Sequence, residues 1–162
     1  MRRLFAIVFL VGCLPFLFGG CVGEEGGLLA YAPRLLSADV QEGECLWRIV
    51  PEGNGFSGTV LSPACAAGIT LRLTDGEASA LCGDVRMPLG GRMYASAARM
   101  LSCFARTAED IADVRADPHT GGVEITFTDG MHLSLDKEGN PLVFVQDGVR
   151  YTVRALQLQP NT

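Results

Sequence analysis

From residue 35 onward, apolar and polar positions alternate with period two, and turn residues recur every 8 to 12 positions, the spacing of an antiparallel β unit. A two-residue turn at Glu42-Gly43 pairs Val40 with Cys45, Ala38 with Trp47 and Leu36 with Ile49, which puts six apolar side chains on one face. Pro51 to Gly55 reads as a loop leading into a strand from Phe56 to Leu61. Asp75-Gly76 then joins two strands with Leu73 against Ala78, Leu71 against Ala80 and Ile69 against Cys82, again on one apolar face.

The C-terminal third needs a different turn. A two-residue Asp129-Gly130 turn would put Val123, Ile125 and Phe127 on the opposite face from Met131, Leu133 and Leu135. A three-residue Thr128-Asp129-Gly130 loop with Gly130 left-handed pairs Phe127 with Met131, Ile125 with Leu133 and Val123 with Leu135, so the bulged loop is expected. Gly139 falls in a longer loop, where a side chain should be better tolerated than at Gly130. Beyond it Leu142 and Phe144 are expected to face inward, and an Asp147-Gly148 turn sets Phe144 against Tyr151 and Leu142 against Val153.

Between the two β sections the period changes. Met93, Ala97, Met100, Leu101, Phe104, Ala108 and Ile111 recur at three and four residues, which predicts an amphipathic helix from 92 to about 106, with 112 as its outer limit. Thr107-Ala108-Glu109-Asp110 offers two other courses, a cap for a second short helix or an entry to a strand through Val114. About nine or ten strands and one helix form an α+β, mostly antiparallel β domain over 35–158, and a twisted sheet of that size curls rather than lying flat.

The residues ahead of the domain address it. Arg2 and Arg3 precede an apolar run from Leu4 to Phe18, followed by Gly19-Gly20-Cys21. A basic start, a short apolar stretch and small residues before a cut site make an export signal over 1–20. The run falls short of the roughly 18 residues that span a bilayer. Leu17-Phe18-Gly19-Gly20-Cys21 resembles a bacterial lipoprotein box, which implies cleavage before Cys21, a lipid such as palmitate on its thiol and an anchor on the outer face of the cell membrane. Cys13, after Leu10-Val11-Gly12, fits the box by type, but cutting there leaves an apolar stretch of about eight residues. Residues 21–34, with Gly, Glu and Pro at 22–34, read as a tether.

Charge and cysteines narrow the partners. The signal holds two of the 13 basic residues and none of the 18 acidic ones, so the remainder has a net charge of −7. That argues against nucleic acid and against docking on anionic headgroups. Cys45, Cys65, Cys82 and Cys103 contain no close Cys-x-x-Cys pair, which disfavours zinc. Export makes them disulfide candidates, with four buried free thiols as the other reading.

Phe56-Ser57-Gly58-Thr59-Val60-Leu61-Ser62-Pro63, Ala67 to Glu77, the helix after Pro88-Leu89, and Asp136-Lys137-Glu138-Gly139-Asn140-Pro141-Leu142 resemble small lipoproteins of Gram-positive bacteria, themselves similar to the LolA/LolB/LppX-like lipoprotein-carrier superfamily. The resemblance implies one antiparallel sheet curled into an incomplete barrel, a helix on its concave face and a cavity for acyl chains. Trp47, Met93, Met100, Leu101, Phe104, Ile125, Leu133 and Phe144 are then the candidates to line a hydrophobic-ligand site.

Signals of enzymatic chemistry, metal or cofactor are poor. His119 and His132 lack an evident partner, Ser134-Leu135-Asp136-Lys137 sits at a strand end rather than on a helix, and Glu109, Asp110, Asp113 and Asp117 lack the alternating oxygens of a calcium loop. Two functions remain: a lipoprotein that handles a hydrophobic small molecule, and a tethered module that binds or inhibits an envelope protein. An open cavity under the helix favours the first, and a packed core with exposed apolar surface the second.

Overall fold

The structure, a computed structural model, describes residues 25–75, 77–118 and 121–160. The expected signal, Cys13, the expected lipidation site Cys21 and His119 lie outside the described residues. The strands are β1 (Leu35–Glu42), β2 (Cys45–Glu52), β3 (Gly55–Ser62), β4 (Thr70–Thr74), β5 (Glu77–Cys82), β6 (Val85–Pro88), β7 (Ile111–Ala116), β8 (Val123–Phe127), β9 (His132–Leu135), β10 (Pro141–Gln146) and β11 (Val149–Leu158). They form one antiparallel sheet, ordered β6-β5-β4-β3-β2-β1-β11-β10-β9-β8-β7. Two meanders, β1 to β6 and β7 to β11, are stitched together where β1 pairs with β11. The helix α2 (Gly91–Ser102) carries the chain from one outer edge to the other, and a single turn, α1 (Glu25–Leu28), precedes β1.

The sheet is open, and it is curled. β3 and β10 are separated by four strand spacings, roughly 19 Å in a flat sheet at ~4.8 Å each. The Phe104 ring nevertheless lies 6.4 Å from Phe56 on β3 and 4.9 Å from Phe144 on β10, centroid to centroid. One side chain reaches both because the sheet wraps around it, so α2 and the turn that follows it occupy the concave face.

Among the described residues eleven strands form where nine or ten were expected. The outermost ones, β6 and β7, have little or no buried face: all four residues of β6 are exposed, and all of β7 but Ile111. Without an inner face, the alternation that marks the other strands is lost. The helix ends at Ser102, short of 106, and the chain then takes the strand course: Thr107 and Asp110 form a capping box on a 3₁₀ turn, Ala108–Asp110, that runs into β7.

Hairpin registers follow turn chemistry. The loop at 128–130 is the bulged one: Phe127 N–H donates to Met131 C=O at 2.8 Å, Gly130 has φ 83°, and Ile125 pairs with Leu133 and Val123 with Leu135. The Asp75-Gly76 hairpin sets Leu73 against Ala78 and Leu71 against Ala80, and the Asp147-Gly148 turn sets Phe144 against Tyr151. The first hairpin turns one residue later than expected, at Gly43-Glu44, because Gly43 adopts the positive φ (56°) that such a turn requires. Val40 therefore pairs with Trp47 and Ala38 with Ile49. This slip of two keeps the apolar face intact, where a slip of one would have reversed it.

Two leucines expected inside are outside. A bulge between Leu35 and Ser37 buries Leu35 and turns Leu36 out to 46% exposure, and a bulge between Pro141 and Val143 buries Pro141 and turns Leu142 out to 36%. Each extra residue inverts the alternation behind it.

Candidate functional site: the concave interior and the outer clefts

The concave face gathers the residues proposed for a ligand. Met100, Leu101, Phe104, Ile125, Leu133 and Phe144 are all buried and belong to one cluster, with Trp47 half-buried against it. Met93 falls on α2, but its side chain lies outside the described ones. Packing under the helix is close. A Cβ built on Gly58 of β3 would stand 3.0 Å from Ile49 Cδ1, 3.0 Å from Leu101 Cδ2 and 3.3 Å from Met100 Cε. Any side chain at this point would press on the ends of all three, which must give by a few tenths of an ångström for α2 to keep its seat on β3.

The expected tether supplies part of the filling. Leu29 and Tyr31 are 5% and 2% exposed and join the same cluster, and a 3₁₀ turn at Ala32–Arg34 then delivers the chain to β1. The Tyr31 hydroxyl lies near Cys103 and Arg106, and burial pushes its pKa up. The apolar Leu28, Leu29 and Tyr31 among the tether glycines were the sequence signal for this plug.

A polar layer closes the end of the interior near the C-terminus of α2. Arg99 pairs with Asp147 at 3.1 Å on the β10–β11 turn, and Arg106 pairs with Asp129 at 2.6 Å on the β8–β9 loop, with its guanidinium 5.6 Å from the centre of the Phe127 ring. Burial raises the Glu42 carboxyl above its ordinary range, opposed by Trp47 and Arg99 beside it. The Tyr151 hydroxyl and Trp47 Nε1 are buried without a partner at hydrogen-bond geometry, although Arg99 and Glu42 lie close by. Two arginines reaching from the helix region to two turns pin the helix over the mouth.

Among the described residues Cys45, Cys65, Cys82 and Cys103 are free thiols, where two bridges were one of the two expectations. Cys103 is buried beside α2 with its Sγ 3.3 Å from Arg99 C=O, and burial pushes its thiol up to about 12, so it stays protonated and unreactive at neutral pH. Cys65 and Cys82 are exposed and Cys45 is half-buried, on other parts of the fold.

Clefts also lie away from the helix among the described residues, and two of them hold residues singled out by the sequence. The larger, about 400 Å³, is bounded by Asp136, Pro141, Leu142, Arg154, Leu156 and Leu158. The smaller, about 240 Å³, holds Glu124, His132, Ser134 and Arg150. In it Ser134 pairs in register with Glu124, while His132 Nδ1 engages Thr126 Oγ1 at 3.1 Å, so the three do not form a proton relay. The acidic run is likewise engaged locally: Asp110 caps Thr107, and Asp113 pairs with Arg115 at 2.8 Å. Among the described residues no group of three or more His, Cys, Asp or Glu could hold a metal ion, and no helix is long and apolar enough to cross a membrane.

No family model matches the chain, and no curated protein matches it. A solved structure from Thermus thermophilus, described as an uncharacterized conserved protein, is similar with a TM-score of 0.44 and 17% identity, over 78% of this chain and 79% of that one. A similarity of that size carries no argument about function.

Proposed function

We propose that the chain is an extracytoplasmic module tethered to the membrane through a lipid on Cys21, and that it binds a partner protein on its outer surface instead of carrying a lipid inside. The carrying observation is the filled concave face. Leu29 and Tyr31 from the chain's own N-terminal segment, Phe104 against Phe144, and the contact of α2 with Gly58 occupy the space that an acyl chain would need. Apolar side chains stand instead on the outside: Val85 and Met87 are 60% and 48% exposed on edge strand β6, and Leu36 and Leu142 are turned outward at their bulges elsewhere on the sheet.

The two halves of this reading are tested separately. Cys21→Ala should release the protein from membranes and abolish palmitate incorporation, and Cys13→Ala should do neither; retention of the Cys21 variant with label would overturn the anchor. A fluorescent fatty acid at micromolar concentration should gain no saturable signal with the purified protein. Stoichiometric binding would return the chain to the lipid-handling class.

A further inference from the structure

β11 outruns its neighbour. Its pairing with β10 stops at Val143 opposite Thr152, whereas its pairing with β1 continues to Leu35 opposite Leu158. Residues 153–158 thus have a strand on one side only among the described residues. Main-chain groups point to alternate sides along a strand. Glu42 and Cys45 flank a two-residue turn, so Ala38 points its main chain toward β2, and its partner Leu156 points away from β1. Gln159 N–H donates to Arg34 C=O at 2.8 Å, which places the neighbouring Leu158 with its N–H and C=O also away from β1. The side facing away from β1 is the side of the 400 Å³ cleft.

Three bulges gather around this one place: at Leu36, at Leu142, and at Arg154, where β11 shifts register against Asp39 and Val40. Bulges end pairing and re-aim side chains, and they concentrate beside functional sites. Here they stop β10 short and bring Pro141 and Leu142 to line the gap. The two charged side chains of the cleft, Asp136 and Arg154, are engaged differently. Asp136 is engaged within its own loop, accepting from the main-chain N–H groups of Glu138 and Asn140 at 2.9 and 2.8 Å and from Asn140 Nδ2 at 3.1 Å. These donors are neutral, so Asp136 keeps its negative charge, while Arg154 is exposed and has no ion pair among the described residues, which makes it the cation of the cleft lining left open to a carboxylate.

We propose that this cleft docks an extended peptide segment of a partner protein, which adds a short strand to the free edge of β11 at Leu156 and Leu158 and sets an apolar side chain against Pro141 and Leu142 and a carboxylate against Arg154. This rests on the reading of the chain as a partner-binding module. An unpaired edge attracts a strand, the apolar pocket beside it selects a side chain, and the single cation sets the sign of the neighbouring charge.

The test is hydrogen exchange on the full lipidated chain in phospholipid nanodiscs, with two acetylated probe peptides, Val-Thr-Val-Leu-Val-Asp and Val-Thr-Val-Leu-Val-Lys, and with sodium laurate as a third arm. The Asp peptide should slow exchange at Leu156 and Leu158 at least fivefold at saturation, the Lys peptide should do so more weakly, and Arg154→Glu should reverse that order while exchange at Ile49 and Phe144 stays unchanged. No protection of 153–158 by either peptide, or an order unaffected by Arg154→Glu, overturns the docking site. Protection by laurate at Met100 and Leu101 would overturn the underlying reading instead, so the two failures are told apart.

Discussion

The concave face and the cleft end of β11 treat the same residue type in opposite ways. Leu101, Leu133 and Leu135 are buried in strict alternation or helical period, whereas Leu36 and Leu142, from equally apolar stretches, are turned outward. The difference is one inserted residue in each strand. Where the register runs unbroken, burial follows the pattern. Where the ladder is bulged, the same pattern delivers an exposed leucine and an unpaired edge. The fold is therefore tight where the resemblance to lipid carriers implied a cavity, and open where nothing in the pattern pointed.

Substitutions on the two sides should separate accordingly. The largest loss is expected for Phe104→Ala, which removes a ring packed against both Phe144 and Phe56 and should cost about 3 to 5 kcal/mol in urea melts, with no acyl-probe binding before or after. A small loss accompanied by gained fatty-acid binding would mean that the interior is a site and not a core. Gly58→Ala should follow at about 1 to 3 kcal/mol, because the added methyl must move Ile49, Leu101 and Met100 together. A neutral result would show that α2 sits loosely.

Gly130→Val and Gly139→Val should each cost about 1 to 2 kcal/mol, since both glycines are left-handed, with φ of 83° and 81°. The expectation that Gly139 would be the tolerant one does not survive this geometry: its loop closes tightly, with Gly139 N–H donating to Asp136 C=O at 3.0 Å. Thermal melts of the two variants side by side check the equality.

A smaller effect depends on pH. Burial pushes the Asp136 carboxyl up, but its hydrogen bonds from Asn140, Glu138 and Gly139 outweigh this and hold it below the ordinary range. A carboxyl lowered in the folded state stabilises above its unfolded value, about 3.9, and that stability is lost as pH falls through the folded value. Asp136→Asn should therefore be less stable than the parent at pH 7, and the gap should close in urea melts as pH drops toward 2. A gap that widened in acid would reverse the sign. The smallest change is expected at Leu142→Ser, within about 0.5 kcal/mol, because that side chain already stands outside.

Much of the fold was legible because faces had to match. The three-residue loop at Gly130 followed from Ile125 and Leu133 needing one side, and the Asp75 and Asp147 hairpins from turn chemistry. The edge strands were not legible, since β6 and β7 bury too little to leave a pattern. Bulges were invisible at Leu36 and Leu142, because an apolar run reads the same with either neighbour inside. Leu29 and Tyr31 were hidden by composition: a segment rich in Gly and Pro reads as a tether even when two of its side chains fill the core. The candidate residues of the concave face were found as a group, but sequence alone does not distinguish a lining from a packing, which depends on whether a neighbour such as Tyr31 arrives to fill the space.

The central claim, a self-filled interior, is tested most directly by methyl NMR of Met100 and Met131, both buried in the core cluster, during titration with sodium laurate below its micelle concentration. The account predicts that neither methyl resonance moves in a saturable way. A saturable shift of both at micromolar laurate would contradict it and would make the concave face a lipid site.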